Sequence, residues 1–463
     1  MHLNFTFNHF VSFIIGYLAV LFFWSVELNL PTLNVDDYSY MSGGTDPDAF
    51  LKSGRIFGYF ENLIFDDVGS TLKIVIKYII GLFVFYASLY ASAYAFYIFC
   101  SEAVNRKVNI LFLLVLIPSI SVWSSVNIYI YELLSFDSAI VSYSLCFAIF
   151  PFVIYYFDKD KFKYLISLIL ATFWCLGTYQ TALLPLIGLV LILYIINWSA
   201  INSNNKPKAI FSFAAILIGL VLNISLVYLI GDANYERASL FEINSLSYIL
   251  SDGLLHILEG PWKNIFFVDG IAGLEIKLLI IFTHLVFIVG LILFFYNKDR
   301  TLLAFSASSC FMWYLGWVPD ALVSPTLSYL NLRHVAPVVS FEIILSSILT
   351  IFIFSRFILP IVLFIFIASL TSGANLIQLT QRQGFINTMD SYVARKYLED
   401  SRKKYDKRTD DLRHICGVPA WSRNSIWRSA FHADWSYKYI FNLLEHPRLK
   451  LRKNSCLQKL TEL

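Results

Sequence analysis

Apolar stretches of about twenty residues, separated by short polar connectors, recur along most of the chain. A helix needs about 20 such residues to cross the ~30 Å hydrocarbon core of a bilayer, and in that core only helices or closed barrels satisfy their own backbone groups. Runs near 10–28, 72–100, 108–122, 129–157, 163–178, 180–198, 209–230, 276–296, 301–318, 337–354 and 357–371 meet or approach this length. The chain is therefore read as an all-α integral membrane protein, a multi-pass helical bundle of about eleven spans within a range of about nine to twelve. The block 108–157 has an alternative, a re-entrant hairpin, because Pro118 and the polar run Ser119 to Asn127 interrupt it.

Composition agrees. The 463 residues are 58% hydrophobic and 17% aromatic, and only 14% are charged, against about 25% in soluble domains. Mean hydropathy is +0.66. Such a balance excludes a nucleic-acid-binding domain as the main function and leaves too few charges for a soluble multidomain enzyme. Net charge is +3, but residues 372–463 hold 17 basic and 9 acidic side chains. These observations divide the chain into a transmembrane domain, 1–371, and a polar, basic C-terminal tail, 372–463.

The six cysteines are too dispersed for a disulfide framework, and Cys100, Cys146, Cys175 and Cys310 lie in apolar stretches as packing thiols. Only Cys416 and Cys456 lie in the polar tail, where they could pair in an oxidising compartment. The run at 10–28 lacks a positively charged start and a small-residue cleavage site, which makes it a retained first helix rather than a signal peptide.

Basic residues in short loops favour the cytoplasm. Asn105-Arg106-Lys107, Asp158 to Lys163, Asn204 to Lys208, Asn297 to Arg300 and Arg356 all fall on one side of the expected topology. The other side carries two large loops, 29–71 and 231–275, the turns Ser124 to Asn127 and Gly177 to Gln180, residues 319–336 and the tail. In a bacterium this is an inner-membrane protein with that face toward the periplasm. Most acidic, aromatic and hydrogen-bonding loop residues lie on this outer side, so function is expected there.

The first outer loop contains Asp36-Asp37-Tyr38, followed by Ser53-Gly54-Arg55. A carboxylate at hydrogen-bond distance from a hydroxyl can take its proton as a bond forms, and repulsion within an acidic pair raises one pKa. The plainer role for Asp36 and Asp37 is to cap or solvate a helix entry. Asp46, Asp48, Glu61, Asp66 and Asp67 read as turn, cap and surface residues. Arg55 and the pair Arg333-His334 suit a phosphate, because a guanidinium grips one through parallel hydrogen bonds. A salt bridge for Arg55 and a snorkelling role for Arg333 are the alternatives. Glu132 lies at or just inside the membrane, where ionisable side chains face a cavity or a partner. Tyr179-Gln180 is a polar step between apolar runs, suited to sugar hydroxyls or to a helix-turn contact. His9 and His284 lie in apolar segments with no evident partner. Trp421, Trp427, Trp435, Tyr437 and Tyr439 give the tail aromatic rings that stack on sugars or form a small core or interfacial belt.

Taken together, Asp36-Asp37-Tyr38 in the first outer loop, Gly54-Arg55, Tyr179-Gln180 between later helices and Arg333 before a late helix resemble the bacterial O-antigen glucosyltransferases of the serotype-converting type. The similarity of layout spans most of residues 1–371. The resemblance implies a membrane glycosyltransferase of the large polyprenyl-phosphate-sugar class with its site at the outer face. It implies Asp36 or Asp37 as general base; a mechanism built around it places Arg55, Arg333 and His334 at the donor phosphate and Tyr38, Glu132, Tyr179 and Gln180 at the sugars. The implied donor is an undecaprenyl-phosphate-linked hexose, glucose foremost, and the acceptor a sugar of the lipid-linked lipopolysaccharide O-antigen. A donor flippase and a donor synthase would be the functional partners. A divalent metal could bridge Asp36 or Asp37 to the phosphate. Three other functions compete: an O-antigen polymerase, a polysaccharide O-acyltransferase built on an embedded histidine, and a polysaccharide flippase or transporter.

Overall fold

A peptide group in hydrocarbon has no solvent partner, so each apolar run has one local solution. The computed structural model of the chain describes residues 7–29, 48–52, 54–65, 71–105, 110–134, 140–199, 209–230, 246–266, 273–318 and 331–403. All regular elements among them are helical. In chain order they are α1 (Phe7–Phe23), α2 (Ser25–Asn29), α3 (Asp48–Lys52), α4 (Ile56–Ile64), α5 (Thr71–Val104), α6 (Ile110–Val126), α7 (Ile128–Leu134), α8 (Ile140–Ser144) and α9 (Phe150–Tyr156). There follow α10 (Lys161–Thr178), α11 (Leu183–Ser199), α12 (Ala209–Ile230), α13 (Leu254–Phe266), α14 (Leu274–Asn297), α15 (Arg300–Leu315), α16 (Asn331–Ile353) and α17 (Ile358–Lys403).

Six helical segments are long and apolar enough to cross a membrane: Ile74–Val104, Gln180–Ser199, Ala209–Ile230, Leu274–Tyr296, Val335–Ile353 and Ile358–Tyr392. Three shorter apolar ones are Phe7–Phe23, Leu113–Val126 and Ile140–Tyr156. The chain is thus a helical membrane protein, and several of the eleven expected spans are not full-length apolar helices. Two of them fall short for different reasons, since α10 starts on Lys161 and Lys163 and α15 has only 16 residues.

The run expected over 129–157 is not one helix. Asn127 divides it from α6: its Oδ1 accepts from the amides of Tyr129 and Ile130, and its Nδ2 donates to the Ser124 carbonyl and to Ser340 Oγ at 3.0 Å. One buried amide side chain therefore ends α6 and caps α7, which keeps a backbone break affordable inside the bundle. Farther on, Pro151 in the first turn of α9 stops the preceding 3-10 turn Leu145–Phe147 from continuing as α-helix. Pro118, by contrast, does not interrupt α6. It leaves the Leu114 carbonyl without an intrahelical donor, and the Ser12 hydroxyl of α1 donates to that carbonyl.

Helix α16 is the axis of the bundle, buried at every residue from Val335 to Phe352. It packs against α5, α6, α7, α11 and α15. Helix α12 is at the periphery, buried only along Ser212, Ala215, Gly219, Asn223 and Val227. This small-residue seam lets it approach α10 closely, since a Cβ on Gly219 would fall 2.6 Å from the Ile169 carbonyl.

The basic connectors are attached at one end. Lys159 pairs with Glu102 at 3.8 Å, Ser212 shares hydrogen bonds with Tyr164 and Tyr194, and Thr301 donates to the Ser199 carbonyl. Arg300 lies over the Trp198 ring. These contacts join the ends of α5 and α11, the starts of α10, α12 and α15, and the loop before α10. Asp160 and Asp299 cap α10 and α15 there, each accepting two backbone amides.

The last helix runs past the expected end of its span near 371. α17 continues unbroken to Lys403, so the boundary drawn at 371 falls inside one helix. Its buried residues Ser372, Leu376, Thr380, Gln383, Ile386 and Asp390 recur at helical spacing. Cys416, Cys456 and the aromatic residues from Trp421 to Tyr439 lie outside the described residues.

Candidate functional site

At the end opposite the basic connectors, a glycine turn places Arg55. Gly54 has φ 75°, its amide donates to the Leu51 carbonyl, and the Arg55 amide donates to the Phe50 carbonyl, both at 2.8 Å. This is the paired closure of a helix C-terminus that favours glycine in the left-handed conformation. It ends α3 and presents Arg55 as the residue that opens α4.

Arg55 then meets three residues from distant parts of the chain. Its Nη1 donates to the Tyr143 hydroxyl at 2.7 Å and its Nε to Gln180 Oε1 at 3.4 Å. The guanidinium carbon lies 5.2 Å from the centre of the Tyr179 ring and 5.6 Å from that of Tyr143. Those two rings are 5.1 Å apart. Tyr179 is the C-cap of α10, in an extended conformation that turns the chain into the 3-10 turn Gln180–Ala182 ahead of α11. That turn packs against α16. Among the described residues no carboxylate pairs with Arg55.

Tyr143 is held from the same short helix that Arg55 opens. Glu61 on α4 accepts the amides of Val141 at 3.3 Å and Ser142 at 2.7 Å, and its Oε1 lies 3.0 Å from Lys77 Nζ. Glu61 is thus a buried, ion-paired cap of α8, the cap role among the turn, cap and surface roles expected for it. α4 itself is fixed by Phe57, whose ring packs 4.3 Å from that of Trp174, and by the close approach of Phe57 to Gly177.

A second buried carboxylate lies in α2. Glu27 is fully buried and accepts the hydroxyls of Tyr78 at 3.3 Å and Tyr131 at 3.2 Å, while the adjacent Trp24 donates to the Ser125 carbonyl. Through Tyr131 it anchors α7, the helix on which Glu132 lies.

Of the expected site residues, Arg55, Tyr179 and Gln180 are brought together. Arg333 and His334 belong to the first turn of α16 rather than to a loop before it, because the helix starts at Asn331 and accommodates Pro337. Their side chains, and that of Glu132, are outside the described residues, as are Asp36, Asp37 and Tyr38 altogether. Among the described residues no cluster of His, Cys, Asp or Glu is placed to hold a metal. His284 does have partners: Nδ1 lies 2.7 Å from the Ile280 carbonyl and Nε2 2.7 Å from the Tyr314 hydroxyl. The carbonyl can only accept, so Nδ1 carries the proton and Nε2 accepts from the tyrosine.

Tyr143, Lys77 and Glu27 were missed in the sequence, and Glu61 was read only as a turn, cap or surface residue. An acid inside an apolar run is the available signal for Glu27; Tyr143 gives none among 28 tyrosines. Comparison of the chain with protein-family models, curated proteins and solved structures gives no match.

The chemistry available here is anion binding by a cation some of whose donors meet no partner among the described residues. A guanidinium has five N–H groups, and the contacts to Tyr143 and Gln180 engage only part of the fork. The two phenol rings remove water from one side, which strengthens its attraction for an anion.

Proposed function

We propose that the protein is a membrane glycosyltransferase that moves a hexose, glucose foremost, from undecaprenyl phosphate to a sugar of the lipopolysaccharide O-antigen at the outer face of the bacterial inner membrane. The observation that carries this reading is the Arg55 guanidinium, set on two tyrosine rings without a carboxylate partner among the described residues. In this reading it holds the donor phosphate, with Arg333 and His334 approaching from α16. The acceptor hydroxyl attacks the anomeric carbon from the face opposite the phosphate. The new glycosidic bond forms as the carbon–oxygen bond to phosphate breaks, and the hydroxyl proton passes to Asp36 or Asp37. The phosphate leaves with the bonding electrons, and fixed cationic donors stabilise the charge it gains. One displacement inverts the anomeric centre. Tyr38, Glu132, Tyr179 and Gln180 contact the sugars.

The test is the mass of the surface polysaccharide repeat in cells supplied with lipid-linked glucose, with and without this protein and its Asp36→Asn, Asp37→Asn and Arg55→Gln variants. The expected result is one added hexose per repeat, lost in Arg55→Gln and in one Asp variant. An unchanged repeat mass with altered chain length would make the protein a polymerase, and an acyl-sized increment would make it an acyltransferase.

A further inference from the structure

A concave feature of the bundle lies away from Arg55. Helices α14, α16 and α17 enclose a groove of about 580 Å³, lined among others by Phe282, Leu285, Ser347, Thr350, Ile361 and Phe364, a size typical of ligand-holding cavities. All three helices contain a segment able to cross the membrane, so the groove lies at membrane depth and is filled by something apolar. It is apolar throughout except for the two hydroxyl residues of α16. Ser347 is 3% exposed and its hydroxyl has no hydrogen-bond partner among the described residues.

One end of the groove is fixed and the other carries a charge. Toward the Arg55 end, α14 and α17 are tied together by Glu275, which accepts from Ser372 at 2.6 Å and from Asn375 at 3.4 Å. At the end of the basic connectors, Phe354 and Phe357 both line the groove and flank Arg356 in the 3-10 turn Ser355–Phe357. Arg356 is exposed and forms no ion pair among the described residues. A long apolar slot, a buried hydroxyl less than two helical turns from the end of α16, and a free cation at the mouth match one kind of molecule in order: an acyl chain, an ester carbonyl and a phosphate.

We propose that this groove is a binding site for an anionic phospholipid of the bilayer, with an acyl chain between α14 and α17, its ester carbonyl accepting from Ser347 and its headgroup at Arg356. The site is independent of the donor reading, since Arg55 lies at the other end of the bundle, and either can fail alone.

The full-length protein is placed in phosphatidylcholine vesicles containing a trace of phosphatidylglycerol, or of phosphatidylcholine, with a photoactivatable group in the acyl chain. Labelling is expected in peptides covering 278–285 and 357–365, about fivefold stronger with the phosphatidylglycerol probe, the preference one interfacial cation confers. Unlabelled phosphatidylglycerol competes, a readout that needs no variant. Arg356→Gln brings the two probes to parity, and Leu285→Trp or Ile361→Trp, read in whichever remains monodisperse, removes the labelling. Labelling spread evenly over the lipid-facing helices, equal labelling by both probes in the unaltered protein, or a preference that survives Arg356→Gln would overturn the proposal. Displacement by polyprenyl phosphate but not by phosphatidylglycerol would also overturn it and assign the groove to a substrate tail.

Discussion

Arg55 donates to the Tyr143 hydroxyl at 2.7 Å, and Glu61, on the helix that Arg55 opens, caps the helix that carries Tyr143. The contact is therefore closed twice, once by side chains and once through the backbone of α8. Movement of α4 carries the arginine and the cap of its partner together.

If the Arg55 fork grips a phosphate, a point charge will not replace it. Arg55→Lys is expected to lower the transfer rate about 10²-fold or more, the cost of one lost charge-stabilising donor, with thermal stability in detergent nearly unchanged. Transfer assayed with a synthetic polyprenyl-phosphate glucose checks this. A normal rate in Arg55→Lys would remove the arginine from the phosphate.

The Lys77–Glu61 pair has side chains only 1% and 3% exposed. Breaking such a pair from one side leaves an uncompensated buried charge, at a cost of about 3–5 kcal/mol. Lys77→Met should therefore lower the melting temperature far more than Lys77→Met combined with Glu61→Gln, which keeps an acceptor for the amides of Val141 and Ser142. Equal losses in the single and double variants would contradict the coupling.

Gly54 at φ 75° admits a side chain only at a cost of about 1–2 kcal/mol. Gly54→Ala is expected to lose that much stability and, by displacing Arg55, to raise the KM for the lipid-linked donor more than it lowers kcat. A variant as stable and as active as the parent would show that the turn does not set the arginine.

At the other end, Asp160 titrates below its ordinary value of 3.8, chiefly because its carboxylate accepts the Lys163 amide. A depressed folded pKa means that the cap stabilises α10 above the unfolded value and that this contribution disappears as pH falls through the lower, folded one. Hydrogen exchange of the first turn of α10 should accelerate between about pH 4 and pH 2 beyond the intrinsic trend. Asp160→Asn, which keeps the acceptor without the titration, should abolish that step; if the step persists, another group is responsible.

How much of this was legible depended on whether a residue's partners lie near it in the chain. The run 209–230 reappears as α12 because apolar length alone decides a peripheral helix. The run 129–157 misleads because Pro151 breaks it after the 3-10 turn Leu145–Phe147, whereas the expected turn at Ser124 to Asn127 is sealed by Asn127 through a bond to Ser340, remote in sequence. Past residue 371 the polar sequence stays helical because the buried positions from Ser372 to Asp390 keep helical spacing, a pattern that mean polarity conceals. In the site, Arg55, Tyr179 and Gln180 stood out as polar residues at the edges of apolar runs. Glu61 did not, since the amides it caps lie 80 and 81 residues away.

The length of α17 has a consequence of its own. Its 46 residues measure about 69 Å at 1.5 Å per residue, more than twice the ~30 Å hydrocarbon thickness. From Ser372, where the helix is tied to Glu275, to Lys403 is about 46 Å of rigid rod. Such a rod works as a ruler: it fixes the height and the compass bearing at which the chain after Lys403 emerges. Changes of composition along it should be borne more easily than changes of length, because two inserted residues would swing everything beyond them through about 200°.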